Sequence, residues 1–261
     1  MQPSSEERTR VTLSTGHEIT LPLELEFAMG GVTVLARRDR LEALLPDALS
    51  ALGVAPGIGC VTFVGVRYHR VGGERGDDTA LEPYDEFAVI VPAVREGRGD
   101  SSIGKLVGGE IGGYVHWLPV TTDASVALGR EIWGYPKERA GIGIDDSALA
   151  FQCVLDDGDV DSDSDTGVRE RVRLEVPHPR TRIGSRERDW TLWSYTTKDG
   201  ALLRSEAEIR GEIALGTPLG ARIELASDLR ADLGCWPRPL ARLYGTRVRA
   251  RLHSGEPVGD A

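Results

Sequence analysis

Only three lysines occur in the chain, Lys105, Lys137 and Lys198, so 28 of the 31 Lys+Arg residues are arginine. A surface that takes its positive charge from guanidinium has no general need of an amine, and each lysine asks for a more particular reason. A buried lysine can lose its proton and attack a carbonyl to form a Schiff base, whereas arginine stays protonated at any working pH. Lys137 closes the run Gly129-Arg-Glu-Ile-Trp-Gly-Tyr-Pro-Lys137. Trp133 and Tyr135 supply aromatic bulk just upstream, and Pro136 fixes its own backbone while pushing Tyr135 toward an extended conformation. A stiff, aromatic-flanked segment of this kind can hold its lysine in a poorly hydrated pocket, where lost solvation disfavours the ammonium form. The competing reading is a solvated surface lysine, the usual state of the residue type.

The run from Gly129 to Lys137 resembles the Schiff-base motif of the acetoacetate decarboxylase family, G-R-E-x-x-x-[YF]-P-K. Upstream, Glu86-Phe-Ala-Val-Ile-Val-Pro92 is similar to the family's strand carrying a Glu six residues before a Pro, and Tyr114-Val-His116 resembles the segment that precedes the lysine motif. Arg37-Arg38-Asp39, leading into Leu41-Glu-Ala-Leu-Leu-Pro46, looks like the family's N-terminal strand, its arginine and its first helix. These blocks lie between residues 30 and 140; beyond them the strand patterns are compatible but carry no motif. The resemblance implies a mainly β (α+β) fold over a single domain, 1–261, built as an antiparallel β-barrel with a few short helices and the lysine's pocket inside. It also implies a symmetric homo-oligomer. Two positions depart from the pattern. Glu138 stands where the family's decarboxylases carry a second lysine, and Val64, on the strand Cys60-Val-Thr-Phe-Val64, stands where they carry a further carboxylate. A carboxylate close to the amine would raise its pKa, so Glu138 must point away or the mechanism must differ.

The chemistry these residues suggest begins with neutral Lys137 adding to the ketone of a small oxo acid. The resulting protonated imine is an electron sink that stabilises carbanion character developing beside it, through loss of carbon dioxide or of a proton. Glu86 is the candidate acid or base, its competing role being an inward carboxylate paired with an arginine. Arg37 or Arg38 would grip the substrate carboxylate, because planar guanidinium matches it with two parallel hydrogen bonds. Strand alternation turns only one of the pair inward, with Arg37 preferred. Tyr135 and His116 complete the expected substrate contacts, although a strand histidine is more often simply packed and hydrogen-bonded. Three readings follow: a carbon-carbon lyase decarboxylating a 3-oxo acid such as acetoacetate, an imine-forming aldolase or dehydratase on 2-oxo acids such as pyruvate, and a non-catalytic barrel in which Lys137 anchors a small organic acid. None of them calls for a cofactor or a metal.

Composition bounds the partners. A net charge of -10 and 41 acidic residues against scattered arginines argue against binding a phosphate backbone, so nucleic acid is not an expected partner. No apolar run approaches membrane-spanning length, and the polar start Met1-Gln-Pro-Ser-Ser-Glu-Glu7 lacks the regions of a signal peptide, which makes a cytoplasmic location the expectation. Cys60, Cys153 and Cys235 are odd in number and widely spaced, so they read as small buried hydrophobes. An acidic surface nearly free of lysine fits solubility in concentrated salt and fits a GC-rich genome equally well.

The elements that must position Lys137 are short and mostly extended. Strand patterns run over Thr20 to Phe27, Val32 to Arg37, Gly59 to Arg70, Glu86 to Val94, Gly113 to Pro119, Arg139 to Ile144 and Ala148 to Leu155. Others run over Val168 to Val176, Asp189 to Thr196, Ala207 to Ile213 and Gly245 to Leu252. Asp39 caps a short helix ending near Pro46, and Asp123 caps another from Ala124 to about Arg130, which breaks at Gly134. Arg130 and Glu131, at that helix's C-terminal end, are expected to steady the turn. Other motifs weaken on inspection. Asp161, Asp163 and Asp165 imitate a calcium loop, but Gly167 falls one place late and Val172 stands where a bidentate Glu is needed, so an acidic hairpin is favoured. Gly108 to Gly113 lacks nucleotide-binding spacing and reads as a turn.

Overall fold

The computed structural model describes residues 8–73, 80–95, 111–156, 170–178 and 188–260, and strands dominate it. A hairpin of β1 (Thr9–Thr12) and β2 (Glu18–Leu21) precedes β3 (Leu23–Arg37). The helix Arg38–Glu42 and β4 (Leu49–Ala51) lead into β5 (Ile58–Val71), β6 (Asp85–Arg95) and β7 (Ile111–Val120). The helix Asp123–Trp133 and β8 (Lys137–Arg139) follow, then β9 (Gly141–Asp146), β10 (Ala150–Asp156) and β11 (Glu170–Pro177). After β12 (Arg188–Lys198) and β13 (Ala201–Gly211) come β14 (Ile213–Gly216), β15 (Arg222–Leu225), the helix Ser227–Leu233, β16 (Cys235–Leu252) and β17 (Glu256–Asp260).

The large sheet runs β16-β3-β5-β6-β7-β12-β13, and β13 pairs again with β16, so the path returns on itself as a ring. Its pairs are antiparallel except at β7, which lies parallel to β12 and to β8. A second sheet, in the order β15-β11-β10-β9, packs on the outside of the ring. Successive strand residues point to opposite faces, which gives β3, β5 and β6 two buried sides. Leu23, Leu25, Phe27 and Met29 of β3, with Val64 and Val66 of β5, line the ring's interior. Val32, Val34, Phe63, Phe87 and Val89 point the other way, into the core shared with the small sheet. This explains why Glu86-Phe-Ala-Val-Ile-Val-Pro92 is apolar at nearly every position: both faces of β6 are covered.

The fold class matches the expected mainly β, barrel-like architecture, with some local differences. The pair Gly30-Gly31 does not break the first long strand; β3 runs straight through it. A Cβ on Gly30 would lie 2.4 Å from Phe151 Cδ1 and one on Gly31 2.6 Å from the Phe63 carbonyl, so both glycines are there for close approach. Gly112 and Gly113 likewise lie within β7 instead of forming a turn, and a Cβ on Gly112 would meet the Tyr195 ring at 2.3 Å. The second helix extends to Trp133, and its N-cap is Thr122, whose side chain accepts from the Ser125 amide. Strands β1, β4, β15 and β17 and the helix Ser227–Leu233 carry too few periodic residues for pattern reading to find. The cysteines are free and buried, as expected. The acidic run around Asp161, Asp163 and Asp165, with Gly167, falls outside the described residues. No described helix is long and apolar enough to cross a membrane.

Candidate active site

The segment around Lys137 is built by interlocking backbone contacts. The helix ends at Gly134 in a left-handed conformation (φ 68°), and the Gly134 and Tyr135 amides donate back to the Arg130 and Gly129 carbonyls. Arg130 Nε donates to the Lys137 carbonyl at 2.6 Å, so the arginine of the motif holds the lysine's own backbone. The Glu131 carboxylate accepts from the Ser14 amide at 3.0 Å and ties the helix end to the N-terminal hairpin. Thr196 Oγ1 donates to the Trp133 carbonyl, and the Trp133 indole donates to the His253 carbonyl. Strand β8 then pairs Lys137 with Leu118 of β7, which directs Lys137 inward and Glu138 outward. The lysine side chain crosses the helix at Gly129, where an added Cβ would sit 2.4 Å from its Cδ. A side chain at 129 and an amine in this position are mutually exclusive.

Lys137 is 4% exposed, and its Nζ lies 2.7 Å from Glu86 Oε2 and 3.2 Å from the Tyr84 hydroxyl, to which it donates. Tyr68 donates to the other Glu86 oxygen at 3.2 Å. Burial is the largest single influence on the Lys137 pKa and pulls it down. The Glu86 carboxylate and the Tyr84 hydroxyl together outweigh burial, and the pKa ends above the ordinary lysine range. This direction favours an ammonium ion paired with Glu86 at rest, where the sequence suggested a neutral amine. Burial also pushes Tyr84 and Tyr135 up to about 12, and raises Tyr68 well above its usual value with the Glu86 charge adding to the effect. All three phenols stay protonated near neutral pH.

These groups face a cavity of about 520 Å³ inside the ring. Tyr135 lines it and shares a 2.8 Å hydrogen bond with Ser194. Val64 lines it too, so the position expected to carry a further carboxylate is apolar wall. Glu138 is exposed and accepts from the Trp117 indole, well turned from the amine. The carboxylate that raises the lysine's pKa is thus Glu86 and not its sequence neighbour.

The expected arginines are elsewhere. Arg37 has the inward parity of β3, but the cavity ends along that strand at Met29; the Arg37 side chain is exposed and paired with Asp39 at 2.6 Å. Arg38 pairs with Glu42 at 2.9 Å. No arginine is among the described residues lining the cavity. His116 also lies off it. Strand alternation sends Val115 inward and His116 to the other face, where burial lowers its pKa and Asp232 opposes that. Of the expected site residues, Lys137, Glu86 and Tyr135 come together; Arg37, Arg38 and His116 do not. Tyr84 and Tyr68 were missed. Tyr84 shares Glu86's face at a spacing of two, a legible signal, whereas Tyr68 reaches the carboxylate only through the pairing of β5 with β6.

A profile of the family described as "Acetoacetate decarboxylase (ADC)" matches residues 18–168. The chain belongs to the acetoacetate decarboxylase family. The matched stretch contains Lys137, Glu86, Tyr84 and Tyr68. A relative in Mesorhizobium japonicum (strain LMG 29417 / CECT 9101 / MAFF 303099), "Acetoacetate decarboxylase 3", is 28% identical over 109 residues, 42% of this chain and 33% of that protein, so the match spans about a third of the relative's length. Among solved structures, the acetoacetate decarboxylase of Legionella pneumophila subsp. pneumophila str. Philadelphia 1 shares the family fold at a TM-score of 0.60 and 17% identity, over 98% of this chain and 93% of that one. The enduracididine biosynthesis enzyme MppR, solved with the condensation product of pyruvate and imidazole 4-carboxaldehyde, is similar at a TM-score of 0.61 and 17% identity, over 99% of both chains.

Proposed function

We propose that this family member is an imine-forming lyase that decarboxylates a 3-oxo acid such as acetoacetate on Lys137. The observation that carries the reading is the buried Lys137–Glu86 pair, 2.7 Å apart, facing an apolar cavity with no guanidinium on its described walls. Glu86 takes a proton from the ammonium, which leaves a neutral nitrogen to add to the ketone carbon. The protonated Glu86 then supplies that proton as the carbinolamine loses water. In the imine, the bond to the carboxylate breaks, its electron pair moves into the nitrogen as an enamine forms, and carbon dioxide leaves. Protonation of the enamine carbon and addition of water release the ketone and restore the amine. A carboxylate held without a cationic partner is poorly solvated here, and the charge it loses on departure is gathered by the cationic imine, so the cavity favours the transition state over the bound acid.

The aldolase or dehydratase reading on 2-oxo acids requires the carboxylate to remain bound to the end, and the described lining offers it no arginine. The likeness to MppR, which has been solved with pyruvate, makes that acid the competing arm of the test. Incubation with acetoacetate or with pyruvate, then borohydride, followed by mass spectrometry, is expected to leave a reduced acetone-derived adduct on Lys137 after acetoacetate, accompanied by carbon dioxide release. The Lys137→Arg variant should show neither. A stable adduct with pyruvate alone would favour the second reading, and no adduct with either acid would defeat both.

A further inference from the structure

We infer that the preferred oxo acid carries an extended apolar substituent, several carbons or an aryl ring, in place of the methyl group of acetoacetate; this rests on the decarboxylase reading above. The cavity's 520 Å³ lies within the roughly 300–1,000 Å³ range of pockets that enclose ligands far larger than acetoacetate. Its ionisable groups, Lys137, Glu86, Tyr68, Tyr84 and Tyr135, cluster together, and the other polar side chains on the described lining are Thr62, Ser194 and tryptophan indoles. Away from that ionisable cluster the wall is Met29, Ile90, Leu192, Trp193, Leu215 and Leu243, an apolar surface with no ionisable group among these six. Among the described pairings the ring is loosest between β7 and β12. β7 and β12 pair at only two positions, Gly113 with Ser194 and Tyr114 with Tyr195, whereas β12 and β13 pair along their whole length. Two of the lining leucines reach solvent, Leu192 at 49% and Leu215 at 62% exposure, so the apolar lining continues from the interior to the surface. A chain attached to a ketone carbon bonded to Lys137 has an apolar path outward, and each methylene moved from water onto that wall is favourable.

The experiment measures carbon dioxide release from acetoacetate, 3-oxohexanoate, 3-oxooctanoate and benzoylacetate, with borohydride trapping run on each. The expected result is a kcat/KM that climbs about threefold to fourfold with each added methylene, the factor set by the transfer free energy of a buried methylene. In the Ala207→Phe variant, which narrows the cavity, kcat/KM should fall at least tenfold more for 3-oxooctanoate than for acetoacetate. Leu215→Gln, at an exposed position that does not test folding, should blunt the same preference. A kcat/KM that is flat or falls with chain length, while every acid still traps on Lys137, overturns this inference and leaves the imine reading standing. Absence of trapping with every acid overturns the imine reading and this inference with it.

Discussion

Lys137 Nζ lies 2.7 Å from Glu86, which makes the carboxylate both the main cause of the raised amine pKa and the acceptor that can relieve it. For this reason adduct formation, which needs the neutral amine, should quicken as pH rises from neutral into the alkaline range. Replacing Glu86 with Gln removes the main upward influence and leaves burial largely unopposed, so the amine pKa should fall and the trapping profile should shift to lower pH. Turnover should nonetheless drop by about 10²- to 10⁴-fold, the usual contribution of a positioned acid or base. Unchanged pH profiles for trapping and for kcat/KM in Glu86→Gln would defeat this assignment. Tyr68→Phe takes one donor from Glu86 Oε1 and should cost far less, because Lys137 still faces Oε2. The lysine and its carboxylate were legible as residue types. Their pairing was not, since Glu86 is distant in sequence and the adjacent carboxylate, Glu138, is turned outward by the alternation of β8.

The helix Asp123–Trp133 serves the site through a missing side chain. Gly129 leaves the groove along which the Lys137 methylenes run, and Arg130 clasps the Lys137 carbonyl from the next position. Alanine is the better helix former by about 1 kcal/mol, but at this buried position its Cβ would lie 2.4 Å from Lys137 Cδ, an overlap that costs about 1–3 kcal/mol, so Gly129→Ala should melt slightly below wild type. The new methyl would occupy the path of the lysine, and displacing a reacting atom by about 1 Å is enough to cost on the order of 10²-fold in rate. A variant that folds and still reacts at the wild-type rate would show that the amine tolerates displacement. The existence of this helix was plain from its spacing and from the break at Gly134, but its cap was misplaced by one residue, because Thr122 and Asp123 are both good capping types and only geometry chooses between them. The strand pattern of β3 was cut at Gly30-Gly31 for a related reason: glycine marks a turn and a close approach alike, and here Phe151 and the Phe63 backbone occupy the space.

In the whole molecule the ring serves two cores, with the small sheet filling one face of β3, β5 and β6 while the other face lines the cavity. Phe151 of β10 is fully buried where the small sheet meets Gly30 and Gly65. Phe151→Ala should cost about 3–5 kcal/mol of stability, read as a lowered denaturant midpoint, because the glycines beneath it cannot fill the void. A loss below about 1 kcal/mol would mean that the two sheets are not packed as a unit. The chain's own chemistry determined the scarce amine, the rigid aromatic-proline turn that presents it, and the alternation that makes strands of most segments, since these are local matters of residue type and spacing. Only the folded ring decided which carboxylate meets the amine, that Arg37, Arg38 and His116 stand apart from it, and how much apolar space remains beside it. Those outcomes depend on strand register and closure, which pair residues far apart in sequence and leave the interior volume as whatever the packed walls do not fill.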